Sequence, residues 1–244
     1  MKSDSDCLFS DKELYLLSHN QQGRSFYIER LPSKVKRKKI YENMHLIDGM
    51  SFTSTNSFPQ IKAYTGSTDF SAVPFTDWKI SDGIGQAAHF FLEDFRFRDK
   101  VWCNLERTTQ QLSKFDYVFT PDFSLWKDLP TEFPNKENIY RTRFVGCFWQ
   151  MSGFNVIPTA SWGGLNSFSY CFEGLPRNSI IAVSGMGNQK STEAFRHWCY
   201  GLYRLEEELS PLLILVYGKQ VEVDGLHTRL KFIPCFIEKR LRKI

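Results

Sequence analysis

The sequence lacks the cysteine and histidine spacings that usually bind metal ions. Its six cysteines form no C-x-x-C pair, and its five histidines form neither H-x-x-x-H nor H-E-x-x-H. A zinc site is therefore not predicted. The cysteines also show no disulfide framework, so we expect them to be reduced and mostly buried.

Long hydrophobic runs are also missing. The longest apolar stretch covers residues 212–217, which is far short of the about 20 residues that a membrane-spanning helix needs. The N-terminus begins with Met-Lys-Ser-Asp-Ser-Asp and has no apolar core of the kind found in signal peptides. We therefore expect a cytoplasmic protein without a membrane partner.

The charges of the chain nearly balance. The 31 lysines and arginines exceed the 27 aspartates and glutamates, for a net charge of +4. This excess does not by itself indicate nucleic-acid binding. It is concentrated, however, in two basic segments at residues 34–39 and 239–243. These segments are either solvated tails or electrostatic contacts with nucleic acid or another polyanion.

From about residue 50 the chain alternates between strand-like and helix-like segments. Helices are predicted after Asn104, over residues 136–152 and after Ser191, and strands over residues 60–65, 87–92, 115–120, 154–159, 180–184 and 212–217. Apolar strands separated by helices are typical of βα units whose strands run mostly parallel. The predicted fold class is therefore α/β, as either an open three-layer sheet or an irregular (β/α) barrel.

The predicted organisation is a single domain with an extension at each end. Residues 1–49 form an N-terminal extension that includes the first basic segment, residues 50–225 form the α/β core domain, and residues 226–244 form a basic C-terminal tail. No internal repeat or low-complexity linker divides the core.

Two aspartates come directly after neighbouring predicted strands. Asp94 follows the second strand and Asp122 the third. The carboxyl ends of parallel strands converge on one edge of a sheet, where α/β proteins carry their sites. The pair could bind Mg²⁺ or Mn²⁺ or divide general acid and base roles, with Ser124 and Ser161 as further candidate catalytic residues. Alternatively, one aspartate caps a local turn and the other pairs with a nearby arginine.

A glycine-rich turn follows the fifth predicted strand. It contains Ser184, Gly185, Gly187 and Asn188, and Lys190 comes shortly before the next helix. Glycines allow backbone N–H groups to face an anion, and a helix N-terminus adds a favourable potential. The turn therefore predicts a substrate-binding site for an anion, with an ordinary βα turn as the alternative.

Three other side chains near strand ends are candidate substrate-binding residues. Arg96 lies two residues after Asp94, and Tyr217 ends the last predicted strand. Trp162 lies beside a pair of glycines, where an indole could stack on a base or a sugar. The alternative for Trp162 is an ordinary core or lid position.

The same strand ends resemble a family catalogued as domain of unknown function 4417, whose members occur in bacteria, phages and other mobile elements. The resemblance covers about residues 50–220 and rests on four groups of residues: His89-Phe90-Phe91 with Glu93-Asp94 and Arg96-Phe97; Thr120-Pro121-Asp122-Phe123-Ser124; Gly153 to Thr159 with Ser161-Trp162; and Val216-Tyr217-Gly218. The resemblance implies a phage or mobile-element protein and carries no established activity.

Two functions from different classes agree with these observations. The first is an enzyme that acts on a nucleotide or nucleic acid through the carboxylates at the strand ends. The second is a non-catalytic module that binds nucleic acid or a host protein, which the basic segments favour. A third interpretation, a carbohydrate-active enzyme, rests only on the carboxylates and Trp162.

Overall fold

The computed structural model describes residues 41–187 and 190–235. The chain divides into two units, Met1–Asp48 and Gly49–Ile244. In the first unit the described part forms a 3₁₀ segment over Tyr41–Leu46. The two predicted basic segments and Asn188 lie outside the described residues. The fold below is that of the second unit.

Within the described residues, eight strands form two four-stranded sheets. The first sheet contains β1 (Ser71–Pro74), β2 (Gln86–His89), β3 (Tyr117–Phe119) and β4 (Asn155–Ile157). The second contains β5 (Thr159–Ala160), β6 (Ile180–Ser184), β7 (Leu213–Tyr217) and β8 (Leu230–Ile233). Both sheets follow chain order, and all their pairings are parallel. The predicted α/β class with parallel strands is therefore confirmed. Among the described strands, β8 does not pair with β1. The sheets are therefore open and do not close into a barrel.

Four α-helices connect these strands in the described part of the chain. They are α1 (Arg98–Val101), α2 (Leu105–Leu112), α3 (Phe133–Met151) and α4 (Thr192–Leu209). The predicted helices correspond to α2, α3 and α4. Helix α4 begins after Ser191, as predicted. The Ser191 side chain is the N-cap, because it accepts a hydrogen bond from the Ala194 N–H, which has no partner within the helix. None of the described helices is both long and apolar enough to cross a bilayer.

Alternation along β6 shows how the helices cover the second sheet. Ile181 and Val183 pack in a cluster with Trp198 and Leu202 of α4. Ala182 points the other way, into a cluster that holds residues of both sheets. Successive side chains of a strand face opposite sides. Both faces of β6 are therefore buried, which explains its uninterrupted apolar sequence.

Pro158 separates β4 from β5, where one strand is predicted over residues 154–159. Proline has no N–H to donate to a ladder, so regular pairing stops there. Side chains restore the connection on either side of the break. The Thr159 N–H donates to Thr120 Oγ1 over 2.8 Å, and Thr159 Oγ1 donates to the Thr120 carbonyl over 3.0 Å. The end of β3 is thereby joined to the start of β5.

The structure corrects the strand predictions at three further points: one predicted strand does not form, and two observed strands were not predicted. Residues 60–65 form no strand, because their backbone bonds to loops and side chains: the Ile61 N–H donates to the Gly174 carbonyl and the Tyr64 N–H to Ser179 Oγ. Strand β1 was not predicted at all. Strand β8 was not predicted either, and it pairs with β7 over residues that we expected to belong to the basic tail. The core therefore extends past residue 225, at least to Ile233.

Candidate functional site

A cavity of about 980 Å³ lies at the carboxyl ends of the strands. Most of its lining comes from the segments that follow β1, β2, β3, β5 and β6. The rest comes from the last residue of β7, from the segment after β8 and from α4. Parallel strands deliver their following loops to one edge, which is why a cavity forms there. Its volume is at the upper end of the range for small-molecule sites, about 300–1,000 Å³.

Most of the predicted site residues line this cavity. They are Arg96, Asp122, Ser124, Ser161, Trp162, Ser184, Lys190 and Tyr217. Asp94 is not part of the lining but is hydrogen-bonded to Ser124. Gly185 and Gly187 do not line the cavity, and Asn188 lies outside the described residues. One structural edge therefore gathers residues that span about 125 positions of the sequence.

Asp94 is held by the segment that follows the neighbouring strand. The Ser124 N–H donates to Asp94 Oδ1 over 3.1 Å, and Ser124 Oγ donates to the same oxygen over 2.8 Å. The proposed alternative, an ion pair between Asp94 and a nearby arginine, does not occur with Arg96. That guanidinium instead contacts Glu93, with Nε 3.0 Å from Oε2. The Asp94 carboxylate is thus fixed by hydrogen bonds between strand ends.

Asp122 occupies the most unusual electrostatic position of the site. Its side chain is half-buried at the cavity wall. Burial, which is the largest effect, and the nearby Asp94 charge together raise the pKa of Asp122 to about 7, although an interaction with the Ser161 side chain lowers it. Burial disfavours the charged form of a carboxyl group, and so does a neighbouring like charge. Asp122 therefore exchanges its proton near neutral pH.

The glycine-rich turn engages one of the N–H groups that we expected to face an anion. The Gly185 N–H donates to the Tyr217 carbonyl over 2.8 Å and is not available to an anion. The Met186 N–H donates to Ser184 Oγ over 3.2 Å. The Lys190 side chain, which is exposed, lines the cavity. In the described part of this turn, Ser184, Met186 and Lys190 line the cavity, so the turn presents a cation there.

Trp162 belongs to both the core and the cavity. It packs against the buried cluster of the second sheet, with its ring 6.1 Å from that of Phe172. A Cβ added at Gly201 of α4 would overlap the indole. Part of Trp162 also borders the cavity. Helix α4 therefore holds this indole at the edge of the cavity.

Tyr217 lies on the floor of the same cavity and is almost completely buried. Its ring stacks on Phe91, with centroids 4.9 Å apart and an interplanar angle of 15°. Phe91 follows β2 of the first sheet, whereas Tyr217 ends β7 of the second. The stack therefore joins the two sheets beneath the cavity.

Several polar or aromatic residues of the lining were not among the predicted site residues. Thr76 and Asp77 follow β1, which was not predicted, and Trp198 was assigned only to the buried face of its helix. The Trp198 Nε1–H donates to the Ser184 carbonyl over 2.9 Å, so this indole joins α4 to the end of β6.

The described residues gather no group of three or more His, Cys, Asp and Glu side chains that could hold a metal ion. Asp94 and Asp122 alone would supply two carboxylates. Mg²⁺ often binds through one or two carboxylates and completes its shell with water and substrate phosphate. The pair therefore fits that binding mode and does not fit a metal site made of protein ligands alone.

The fold and the cavity define a class: parallel α/β proteins whose candidate site lies at the carboxyl ends of their strands. Within this class, the family model described as domain of unknown function (DUF4417) matches residues 51–233. The chain belongs to this family, which confirms the resemblance seen in the sequence.

Relatives of the chain occur in mycobacteriophages. The chain is 34% identical to the Gene 1 protein of Mycobacterium phage L5 over 200 residues, which cover 78% of this chain and 85% of the phage protein. It is 35% identical to the Gene 1 protein of Mycobacterium phage D29 over 161 residues, which cover 66% of this chain and 59% of that protein. The chain thus matches less than two thirds of the second relative. No solved structure matches the chain significantly.

Proposed function

We propose that this protein is an enzyme that acts on a phosphate-bearing substrate, a nucleotide or nucleic acid, with Asp122 as its general acid or base. The observation that supports this proposal is the position of Asp122: it is half-buried, lines a cavity, and has a pKa of about 7. A catalytic acid or base works best when its pKa lies near the working pH. Strongly shifted carboxyl groups in clefts are also concentrated at functional sites.

The neighbours of Asp122 have supporting roles in this proposal. Ser161, whose side chain lowers the pKa of Asp122, would orient its carboxyl group. Asp94 provides the negative charge that favours a proton on Asp122. Arg96 and Lys190 are the cations of the lining, and both are exposed enough to reach a phosphate.

The charge balance of the site makes a divalent cation useful. Among the described residues, Asp77, Glu93 and Asp122 of the lining, together with Asp94, outnumber Arg96 and Lys190. A phosphate group would meet a net negative site when Asp122 is ionised. Mg²⁺ or Mn²⁺ held by Asp94 together with the substrate phosphate would supply the positive charge that neutralises a phosphate oxygen, while Asp122 stays free to exchange its proton. We therefore expect turnover to depend on Mg²⁺ or Mn²⁺.

The test is a turnover assay with purified full-length protein. Nucleoside triphosphates, single-stranded oligonucleotides and duplex oligonucleotides are each incubated with Mg²⁺ or Mn²⁺ and analysed by chromatography. The expected result is turnover that depends on a group with a pKa near 7 and falls about 10²- to 10⁴-fold in Asp122→Asn. Asp69→Asn, at an exposed aspartate outside the cavity, is the matched control and should keep full activity. A folded Asp122→Asn protein with full activity would disprove the proposed role.

The second candidate function is a non-catalytic module that binds nucleic acid, and the basic segments of the sequence favour it. It predicts DNA binding that weakens steeply with salt, because released counterions then contribute most of the affinity. Such binding should survive Asp94→Ala and Asp122→Ala but disappear when the charges of residues 34–39 are removed. Loss of binding in the aspartate variants would instead favour the enzyme.

A further inference from the structure

The charged residues of the cavity lining are unevenly divided between the two sheets. The segments after β1, β2 and β3 supply Asp77, Glu93, Arg96 and Asp122. The half that comes from the second sheet and α4 supplies mainly large apolar side chains: Trp162, Met186, Trp198 and Tyr217. Lys190 is the one charged residue of that half among the described residues. A ligand that fills the cavity therefore meets most of the charges on the side of the first sheet, whereas apolar side chains line both sides, because Phe91 and Phe123 come from the first sheet.

Trp162 is the fixed part of the apolar half. Its indole is in contact range of Phe168 and Phe172 and lies against Gly201 of α4. The ring is only partly buried, and the remainder borders the cavity. An aromatic surface that is already held in place loses little conformational entropy when it binds another ring.

Met186 is the exposed part of the same half. It is 43% exposed, whereas Trp198 and Tyr217 are each only 4% exposed. A bound ring would thus cover mainly Trp162 and Met186, with the other two rings forming the floor. Methionine adapts to irregular surfaces and makes favourable contacts with aromatic rings.

We propose that this apolar half binds a nucleobase while the cations of the lining, Arg96 and Lys190, hold the phosphate, so that the substrate is an unpaired nucleotide. This proposal rests on the proposed function and specifies its substrate: a mononucleotide or a nucleotide of a single strand. A base in a duplex is stacked and paired, so it cannot reach a cavity of this kind without being flipped out. Stacking on aromatic residues is tolerant of sequence, because every base presents a ring face.

The experiment measures binding by calorimetry, with adenosine monophosphate, ribose 5-phosphate and adenosine as probes and Mg²⁺ present. Adenosine monophosphate should bind at least about fivefold more tightly than ribose 5-phosphate, since stacking of one base contributes roughly a five- to hundredfold change in affinity. Met186→Ala should weaken adenosine monophosphate binding several-fold and leave ribose 5-phosphate binding unchanged. This variant changes an exposed side chain, so it should fold normally. Trp78→Phe, at a tryptophan outside the cavity lining, is the control and should change neither affinity.

The outcomes separate this proposal from the proposed function. Equal affinities for adenosine monophosphate and ribose 5-phosphate would overturn the nucleobase site and leave a phosphate-binding enzyme intact. Adenosine binding as tightly as adenosine monophosphate, with sensitivity to Met186→Ala, would support the nucleobase site and overturn the phosphate-bearing substrate. Absence of binding by all three probes at millimolar concentration would overturn both.

Discussion

Ser124 donates two hydrogen bonds to one oxygen of Asp94, from its backbone N–H over 3.1 Å and from its hydroxyl over 2.8 Å. The two residues are 30 positions apart, and each follows a different strand of the first sheet. The bonds therefore fix the distance between the ends of β2 and β3. They also hold the Asp94 charge close enough to act on Asp122, two residues before Ser124.

The Asp94 charge should be measurable at Asp122. In Asp94→Asn the pKa of Asp122 should fall below about 7, because one of the two causes that raise it is removed. It should remain above the ordinary range of about 3.9, since burial is the larger cause. Titration of the carboxyl carbons by NMR measures this change. Asp69→Asn should leave the Asp122 titration where it is, and an unchanged Asp122 pKa in Asp94→Asn would exclude coupling between the two carboxylates.

Removal of the Asp122 charge should stabilise the protein above neutral pH. The pKa of Asp122 is higher in the folded than in the unfolded chain, so the folded state binds more protons between about pH 4 and pH 7. The contribution of Asp122 to stability is therefore highest below pH 4 and falls as the pH rises to 7. The free energy of unfolding of Asp122→Asn should exceed that of the natural protein by on the order of 2–4 kcal/mol near pH 8 and by little near pH 4.

Urea denaturation at several pH values measures this difference. The asparagine keeps the size of the side chain, so changes in packing are small. A difference in unfolding free energy that does not vary with pH would contradict the raised pKa. A residue that lowers stability at working pH is typical of a site kept for function.

Arg143 of α3 should be important for stability although it forms no part of the cavity. Its guanidinium is buried and donates to the carbonyls of Cys171 and Glu173 over 2.7 and 3.1 Å. Burial lowers the pKa of Arg143 to about 10. Arg143→Met keeps the volume but leaves those buried carbonyls without donors, and it should cost about 2–4 kcal/mol in urea denaturation. The exposed Arg107→Met should change stability by less than about 0.5 kcal/mol, and an equally small loss at Arg143 would show that water replaces the guanidinium.

The position of the site was predictable because parallel strands always deliver their following residues to one edge. Asp94, Asp122, Ser161 and Tyr217 could be assigned to that edge from strand order alone. Asp77 could not, because β1 has only four residues, is partly exposed and ends in proline. Pairing with β2 is what makes that segment a strand. A short strand of this kind is defined by its partner and not by its own composition.

Hydrogen-bond partners were the other property that the sequence did not reveal. Residues 60–65 have the apolar content of a strand, yet their N–H groups bond to loops and side chains, such as the Ile61 N–H to the Gly174 carbonyl. In the glycine turn, too, one N–H group that we expected to face an anion has another partner, because Gly185 donates to the Tyr217 carbonyl. Every buried backbone group needs a partner, but many partners can satisfy it. Composition is therefore a better guide to which segments are buried than to the hydrogen-bond partners of their N–H groups.

Gly201 offers a prediction in which two physical effects have opposite signs. In the interior of a helix, Gly→Ala normally stabilises a protein by about 0.5–1 kcal/mol. At this position of α4 the added methyl group would overlap the Trp162 indole. Such overpacking costs about 1–3 kcal/mol. Gly201→Ala should therefore destabilise the protein, and urea denaturation gives the sign directly.

A second variant provides the control for this prediction. In a Trp162→Leu background the smaller side chain leaves room at position 201, so Gly201→Ala should regain the ordinary gain of about 0.5–1 kcal/mol. The double-mutant cycle isolates the contact between helix and indole, since both substitutions affect the same space. If Gly201→Ala stabilises the natural protein as much as the Trp162→Leu protein, the indole does not lie against α4, and the fixed aromatic surface proposed for the nucleobase would lose its support.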